Sequence, residues 1–199
     1  MEFTEIENLK NAALVGNNPD AQFELGQLYE FGKGVEQNYQ KALEWYTRSA
    51  EAGLSKAEYS IGLLYEQGRG VAENHTLAAA WYQKAAEKND PWALNNLAFL
   101  YSHGRGVEQS DEKANELYIQ AANLGHFQAQ YNLAARYASG RGMEVDLISA
   151  YFWFERSQLG ASALNQERAK KMIEVIAEHM SKEDIATAKA RYEDLFRQK

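Results

Sequence analysis

Residues 25–35 read Leu25-Gly26-Gln27-Leu28-Tyr29-Glu30-Phe31-Gly32-Lys33-Gly34-Val35, and this pattern occurs four times in the chain. The later copies begin at Ile61, Leu97 and Leu133, each 36 residues after the one before, with no insertion or deletion. A fixed period of about 20–50 residues is typical of repeat arrays, in which each unit buries its apolar face against its neighbours. The 199 residues are therefore predicted to form one repeat domain, 1–199.

Each 36-residue copy predicts two helices. The first helix carries alanine, an aliphatic residue and tyrosine at helical spacing, and the Gly-x-Gly that follows predicts its end, because glycine readily takes the left-handed conformation. A short loop then leads to a residue that favours the start of a helix. These four residues are Asn38, Asn74, Ser110 and Asp146.

The period also predicts the domain organisation. Four full repeats are expected, with a half-repeat before them and a capping pair of helices after them, which makes about eleven helices. The predicted segments are 4–18 for the half-repeat, 19–54, 55–90, 91–126 and 127–162 for the repeats, and 163–199 for the cap. Atypical terminal segments are expected because the end of an array needs a polar outer surface.

The repeated motif Ala-x3-Leu-Gly-x2-Tyr-x2-Gly-x-Gly-Val, followed by Ala-x2-Trp-Tyr and Ala-Ala-x2-Gly, resembles the Sel-one-like repeat (SLR) family, a relative of tetratricopeptide repeats. The resemblance covers about residues 19–160, and it departs from the motif at Ala98, Ala134, Leu117 and Met143. It implies an all-α, right-handed α-solenoid of antiparallel helix pairs that works as a protein-interaction scaffold.

Composition narrows the function classes. The formal net charge of −7 argues against nucleic-acid binding, which needs a basic face, and mildly favours a basic or neutral partner. There is no cysteine, which excludes disulfides and thiolate chemistry. Neither a signal peptide nor an apolar run long enough to span a membrane is visible. We expect a cytoplasmic protein, although a mature periplasmic protein would look the same.

No motif predicts catalysis. A phosphate-binding loop opens a helix, whereas each Gly-Lys/Arg-Gly here is predicted to close one. The four histidines lack partners at metal-ligand spacing, and no serine is framed as a nucleophile. We therefore predict no enzyme activity, cofactor or metal. Lys33, Arg69, Arg105 and Arg141 recur once per copy, either as solvated loop charges or as anchors for an acidic partner segment.

Candidate binding residues are those that depart from the repeat. By analogy with tetratricopeptide repeats, the first helix of each copy lines the concave surface. Trp92 and Phe99 are aromatic where the other copies are not, and Asn95 could pair with the backbone of an extended peptide. Trp92 could equally pack on the neighbouring repeat. The predicted partner-binding residues are Tyr59, Leu63, Trp92, Asn95, Phe99, His103 and Tyr131.

The sequence thus predicts a non-catalytic adaptor that binds a protein or peptide in its concave groove. Three alternatives stay open: an immunity protein that neutralises a toxin by direct binding, a hydrolase-type enzyme, and a scaffold that self-associates through its last helix. Ile185, Tyr192 and Phe196 would form the self-association face. A monomer is otherwise expected.

Overall fold

The computed structural model describes the backbone of residues 3–197, which form eleven helices and no strand, and the side chains of residues 4 and 6–193. The helices are α1 (Phe3–Leu14), α2 (Pro19–Phe31), α3 (Tyr39–Glu51), α4 (Ser55–Gln67), α5 (His75–Glu87), α6 (Pro91–His103), α7 (Asp111–Asn123), α8 (Phe127–Ser139), α9 (Leu147–Ser157), α10 (Ala163–Ala177) and α11 (Lys182–Arg197). The predicted all-α class, built from helix pairs with a 36-residue period, is confirmed.

The chain divides into two compact units. The first unit contains the residues up to Ala93 together with Gly104–Glu108, so it holds α1 to α5 and the start of α6. The second unit contains Leu94–His103 and the residues from Gln109 onward, which hold the rest of α6 and α7 to α11.

Within the first unit, α2 and α3 form an antiparallel pair. At one end of the pair, Ser49 Oγ donates to the carbonyl oxygen of Pro19 at 2.8 Å. At the other end, the Asn38 backbone N–H donates to the carbonyl oxygen of Tyr29 at 2.8 Å. The chain therefore reverses direction between the two helices.

The helix ends lie where local chemistry predicts them. Helices α2, α4 and α8 end at the first glycine of Gly-x-Gly, in the left-handed conformation. The second helix of each pair begins after a residue whose side chain accepts a backbone N–H three residues later, which satisfies one of the free donors of the first turn. Those capping residues are Asn38, Asn74, Ser110 and Asp146, as predicted.

A glycine–tyrosine–glutamate group fixes the packing inside the first two helix pairs. A Cβ atom added at Gly26 would lie 2.4 Å from Cε1 of Tyr46, a fully buried residue. The Tyr46 hydroxyl donates to Glu30 Oε2 at 2.5 Å, which holds the ring against the glycine. Gly62, Tyr82 and Glu66 repeat the arrangement in the next pair.

The second glycine of Gly-x-Gly lies against the preceding repeat. A Cβ atom added at Gly70 would lie 2.5 Å from Cβ of Tyr39 and 3.0 Å from its carbonyl carbon. In the second unit, a Cβ at Gly142 would lie 2.6 Å from Cβ of Asp111. The loop therefore touches the start of the second helix of the previous repeat, and only a residue without a side chain fits there.

Each unit has its own apolar core. In the first unit Leu25, Tyr46 and Ile61 are fully buried, and in the second unit Phe154 and Ala188 are fully buried. Helix α11 contributes Ala188 to the second core, and Ile185 packs against the same cluster. The face predicted for self-association is thus partly used inside the protein, while the side chain of Phe196 lies outside the described residues.

Candidate functional site

The main candidate site is an open groove of about 570 Å³ in the first unit. It lies along α2, α4 and the first residues of α6, which are first helices of successive repeats. We call it the first-unit groove. Its lining residues are Phe23, Gln27, Glu30, Phe31, Tyr46, Lys56, Tyr59, Ser60, Leu63, Asp90, Pro91 and Trp92.

Helical spacing explains why these side chains meet. Phe23, Gln27 and Phe31 lie four residues apart on α2, and residues four apart share one face of a helix. A different face of α2 carries Leu25 and Leu28 into the apolar core. One helix therefore supplies both the core and the groove.

Two aromatic side chains of the groove are open to solvent. Phe31 is 53% exposed and Trp92 is 48% exposed. Three other aromatic residues line the same groove: the ring of Phe23 lies 5.4 Å from that of Tyr46, and the ring of Tyr59 lies 5.8 Å from that of Tyr82. An exposed aromatic side chain in a groove lined by other aromatic rings is suited to enter an interface, because it can bury a large apolar area there.

Polar groups surround this apolar surface. Glu30 accepts the Tyr46 hydroxyl and lies 3.9 Å from the Arg69 guanidinium. Burial, helped by the bond to Glu30, holds the pKa of Tyr46 far above its usual value, so this hydroxyl stays protonated and donates. Asp90 caps α6, since its Oδ1 accepts the backbone N–H groups of Trp92 at 3.1 Å and Ala93 at 3.0 Å.

The seven predicted binding residues fall in two places. Tyr59, Leu63 and Trp92 line the first-unit groove, together with Phe23, Gln27 and Phe31 of α2, one of the first helices predicted to line the concave surface. Asn95, Phe99, His103 and Tyr131 belong to the second unit. The first repeat thus contributes more to the groove than the sequence-based choice of residues suggested.

Asn95 is buried and bonded within the protein. Only 8% of it is exposed, its Oδ1 accepts from Asn132 Nδ2 at 3.2 Å, and its Nδ2 donates to Asn96 Oδ1 at 3.1 Å. To pair with a peptide backbone, as the sequence suggested, Asn95 would have to exchange the bond from Asn132. Its observed contacts serve the packing of α6 against α8.

The other second-unit candidates also make internal contacts. The rings of Phe99 and His103 lie 4.1 Å apart, and His103 Nδ1 is 2.9 Å from the Phe99 carbonyl oxygen. Tyr131 packs edge-on against Phe154 at 5.2 Å and lines a small cavity of about 20 Å³.

The second unit holds a polar pocket that the sequence reasoning missed. It measures about 180 Å³, and we call it the second-unit pocket. Its lining residues are Phe99, Ser102, His103, Tyr118, Asn132, Ala135, Arg136 and Arg141. The missed signal was Arg136, a charged residue at the repeat position where the other three copies carry leucine.

Arg136 is held in a buried network. Its Nη2 lies 2.5 Å from Asp111 Oδ1, its Nη1 donates to Ser102 Oγ at 3.0 Å, and its Nε donates to Asn115 Oδ1. Arg141 Nε reaches the same Asp111 oxygen at 2.9 Å. The bonds from Arg136 hold the pKa of Asp111 below its usual value, while burial raises the pKa of Tyr118 to about 12.

The cations of the Gly-Lys/Arg-Gly loops contact groups of this chain. Arg69 pairs with Glu30 and faces the Tyr39 ring at 5.9 Å, and Arg141 pairs with Asp111. Lys33 lies 5.3 Å from the centre of the Phe31 ring. Arg69 and Arg141 are thus partly engaged, with 45% and 41% of their side chains exposed.

Neither a metal-binding cluster nor a membrane-spanning helix is found in the part of the chain that the structure describes. Among the described side chains, those of residues 4 and 6–193, no group of three or more histidines or carboxylates is arranged to hold a metal ion. Among residues 3–197, no helix has the length and apolar character that crossing a bilayer requires.

Comparison with known families finds one match. The family model described as Sel1 repeat matches residues 19–54, 55–90, 93–126 and 127–157. A comparison with curated protein sequences finds no match.

Solved structures share the fold. A protective antigen of uropathogenic Escherichia coli with an SLR fold is 32% identical, with a TM-score of 0.76 over 80% of this chain and 34% of the other. A Sel1 repeat protein from Oxalobacter formigenes is 36% identical, with a TM-score of 0.67 over 70% of this chain and 56% of the other. This chain therefore spans about a third and about half of their lengths.

An immunity protein from Pseudomonas aeruginosa is also similar in fold. It is 24% identical, with a TM-score of 0.53 over 77% of this chain and 56% of the other. At that level of identity, the likeness concerns the fold alone.

Proposed function

This chain belongs to the Sel1 repeat family, and on that premise we propose that it is a non-catalytic module that binds a segment of another protein in the first-unit groove. Proteins of this family generally act as scaffolds for interactions with other proteins. The observation that carries the proposal is the pair of half-exposed aromatic side chains, Phe31 and Trp92, in one open groove. Buried aromatic anchors surrounded by polar groups dominate the energy of many protein interfaces.

The net charge of the chain also favours a basic partner. The charged lining residues are Glu30, Asp90 and Lys56, and two more cations lie beside the groove, Arg69 at 3.9 Å from Glu30 and Lys33 at 5.3 Å from the centre of the Phe31 ring. The groove has no excess of negative charge, whereas the whole chain carries a net charge of −7. A chain with net negative charge speeds encounter with a basic partner and penalises an acidic one. The proposed segment therefore presents an apolar side chain to Phe31 and Trp92 and carries basic residues beside it.

Quantitative affinity capture with matched variants tests this proposal. Tagged wild type, Trp92→Ala and Tyr59→Ala are compared with Leu164→Ala, which removes a 70% exposed apolar side chain from α10 in the second unit. We expect a protein retained by wild type and Leu164→Ala to bind at least roughly tenfold more weakly to Trp92→Ala, which is typical for the loss of an interface hot spot.

Two features of the experiment guard its interpretation. Asn95 is left unchanged, because its bond to Asn132 makes its replacement a test of folding as well as of binding. Circular dichroism melting of every variant separates a lost contact from a lost fold. Equal retention of the partner by wild type, Trp92→Ala and Tyr59→Ala, with all three folded, would show that the groove is not the binding site.

A second candidate function is that of an immunity protein that neutralises a basic toxin. The net charge of −7 favours it, because an acidic protein is suited to cover a basic active surface. Co-expression with a toxin encoded beside it tests the idea: survival of the host and a stable complex would support it. Growth arrest despite expression of the folded protein would leave the general scaffold.

A further inference from the structure

The first two repeats place a carboxylate at a defined position inside each helix pair. Glu30 accepts the Tyr46 hydroxyl at 2.5 Å, and Glu66 accepts the Tyr82 hydroxyl at 2.5 Å. Arg69, from the loop of the next repeat, lies 3.9 Å from the Glu30 carboxylate. Tyrosine hydroxyl and guanidinium thus converge on one anion that the repeat itself supplies.

The third repeat keeps the tyrosine and the arginine and lacks the glutamate. Ser102 stands at the position of Glu30 and Glu66, whereas Tyr118 stands at the position of the tyrosines. Arg141 stands at the position of Arg69 relative to that residue, and its Nη2 donates to the Ser102 carbonyl oxygen at 2.6 Å. The short serine side chain lies at the second-unit pocket of about 180 Å³, and Tyr118 and Arg141 also line that pocket.

The same pocket has an excess of positive charge. Arg136 adds a second guanidinium where the other repeats carry leucine. Among the side chains that the structure describes, those of residues 4 and 6–193, the ion pairs of Arg136 and Arg141 both go to the single carboxylate of Asp111, which leaves one positive charge in the cluster. The Arg136 side chain is 7% exposed and that of Arg141 is 41% exposed, so the excess charge lies between protein and solvent. Charge-assisted bonds from guanidinium groups are strong in such surroundings.

We propose that the second-unit pocket binds a carboxylate presented by a polypeptide, which occupies the place of the glutamate side chain that the third repeat lacks. Arg141 at the mouth and Arg136 at the base supply the positive charge, and Asn132 and His103 line the same pocket. A single excess positive charge matches a carboxylate, whereas a phosphoryl group carries about −1.5 to −2 at neutral pH. This site lies in the second unit and does not depend on the first-unit groove being occupied.

The test uses blocked peptides as probes of the full chain. The first is N-acetyl-Ala-Glu-Ala-amide, and its neutral control has glutamine in place of glutamate. A third peptide, N-acetyl-Ala-Gln-Ala with a free C-terminus, distinguishes a terminal carboxylate from a side-chain carboxylate. Inorganic phosphate is the fourth probe. Binding is followed through the side-chain Nε–H NMR signals of Arg136 and Arg141.

Three variants assign the binding to the pocket. Ser102→Glu returns the missing carboxylate to the chain and should abolish binding of the peptide carboxylate. Arg141→Gln removes the cation at the mouth and should weaken binding roughly tenfold or more. Lys170→Gln removes an exposed cation on α10 and should leave binding unchanged.

The outcomes are distinct. Saturable shifts with one or both carboxylate peptides, absent with the neutral peptide and lost in Ser102→Glu and Arg141→Gln, are the expected result. No shift with any carboxylate, equal shifts with the neutral peptide, equal losses in Lys170→Gln, or tighter binding of phosphate would each overturn the proposal. If Ser102→Glu does not fold, the comparison of Arg141→Gln with Lys170→Gln decides whether the second-unit pocket binds the carboxylate.

Discussion

At the scale of single residues, the choice of glycine or alanine opposite the aromatic ring of each repeat correlates with the presence or absence of the glutamate that binds the ring's hydroxyl. The first two repeats have glycine opposite a tyrosine bonded to glutamate. The last two have alanine there, Ala98 and Ala134, and they carry Ser102 and Ala138 in place of the glutamates. A hydroxyl bound to a carboxylate keeps its ring against the helix, and without that bond the ring can move aside for a methyl group.

This relation predicts that Gly26→Ala destabilises the wild-type protein but does not destabilise a protein that lacks Glu30. In the wild type the new Cβ meets the Tyr46 ring at 2.4 Å. Overpacking costs about 1–3 kcal/mol, which exceeds the roughly 1 kcal/mol that alanine gains over glycine in helix propensity. In a Glu30→Ser background the ring is released, so the same change should be neutral or stabilising by up to about 1 kcal/mol. Urea denaturation of the four proteins measures the coupling, and an identical effect in both backgrounds would contradict it.

Asp111 should make the free energy of unfolding depend on pH in the acidic range. Its pKa is lowered in the folded state by the bonds from Arg136, so its contribution is complete above the unfolded value of about 3.9 and is lost as the pH falls through the folded pKa. Asp111→Asn should cost about 2–3 kcal/mol at pH 7, because it leaves the buried Arg136 without its anion. The difference from wild type should shrink below about pH 4.

Urea denaturation at pH 7 and pH 3 checks this prediction. The control is Glu116→Gln, which removes an exposed carboxylate from the same helix, α7. A stability difference between wild type and Asp111→Asn that stays constant from pH 7 to pH 3 would exclude the proposed role of Asp111.

At the scale of helices, the loop after each first helix has two separate tasks. The first glycine of Gly-x-Gly ends the helix in a left-handed conformation, with φ of 63° at Gly68. The second glycine, with φ of 73° at Gly70, lies against the start of α3 in the preceding repeat. The repeated motif therefore combines a local stop signal with a contact between repeats.

These tasks predict different costs for two otherwise matched substitutions. Gly68→Ala should cost about 1–2 kcal/mol, because alanine is strained in the left-handed conformation. Its Cβ would add little to this cost, since its nearest neighbours would lie at 3.3 Å. Gly70→Ala should have a similar strain, and its Cβ would also lie 2.5 Å from Cβ of Tyr39. This overlap should add about 1–3 kcal/mol to the loss of stability. Thermal and urea denaturation rank the two variants, and equal stability losses would refute the contact between repeats.

At the scale of the whole molecule, the first unit carries the open aromatic groove and the second carries the polar pocket with its network of arginines. The terminal helix has a structural task in the second unit. Helix α11 packs on α9, Ala188 is fully buried, and Arg191 Nη1 lies 3.4 Å from Ser149 Oγ. A stretch rich in charged residues thus covers an apolar core.

A variant that ends at Met180 should therefore be less stable. Removal of α11 exposes the apolar surface under Ile185 and Ala188, at a cost of about 2–4 kcal/mol, which lowers the Tm by roughly 5–15 °C. A variant that ends at Glu193 keeps most of α11 and serves as the control. Sedimentation of both proteins also tests self-association. A dimer that persists in the variant ending at Met180 would exclude α11 as its interface. An unchanged Tm in the variant ending at Met180 would contradict the covering role.

The sequence alone predicted the repeat, the all-α class and the positions of helix ends. These features depend on local chemistry: Asn38, Asn74 and Ser110 cap helices through N–H groups three residues away, and Gly32 ends α2 because its own φ is positive. Helical spacing likewise placed Tyr59, Leu63 and Trp92 on first helices of their repeats. Such features need no knowledge of residues distant in the chain.

Only the tertiary structure decided which of these side chains share a surface and which are already engaged. Arg136 reaches Asp111 and Ser102 across gaps of 25 and 34 residues, and Asn95 meets Asn132 across 37. Such pairs depend on the distance and orientation between packed helices, which no local pattern encodes. For the same reason, only the structure shows that Phe31 and Trp92 line one groove. It also shows that Ser102, which replaces a glutamate, lies at one pocket with Tyr118 and Arg141.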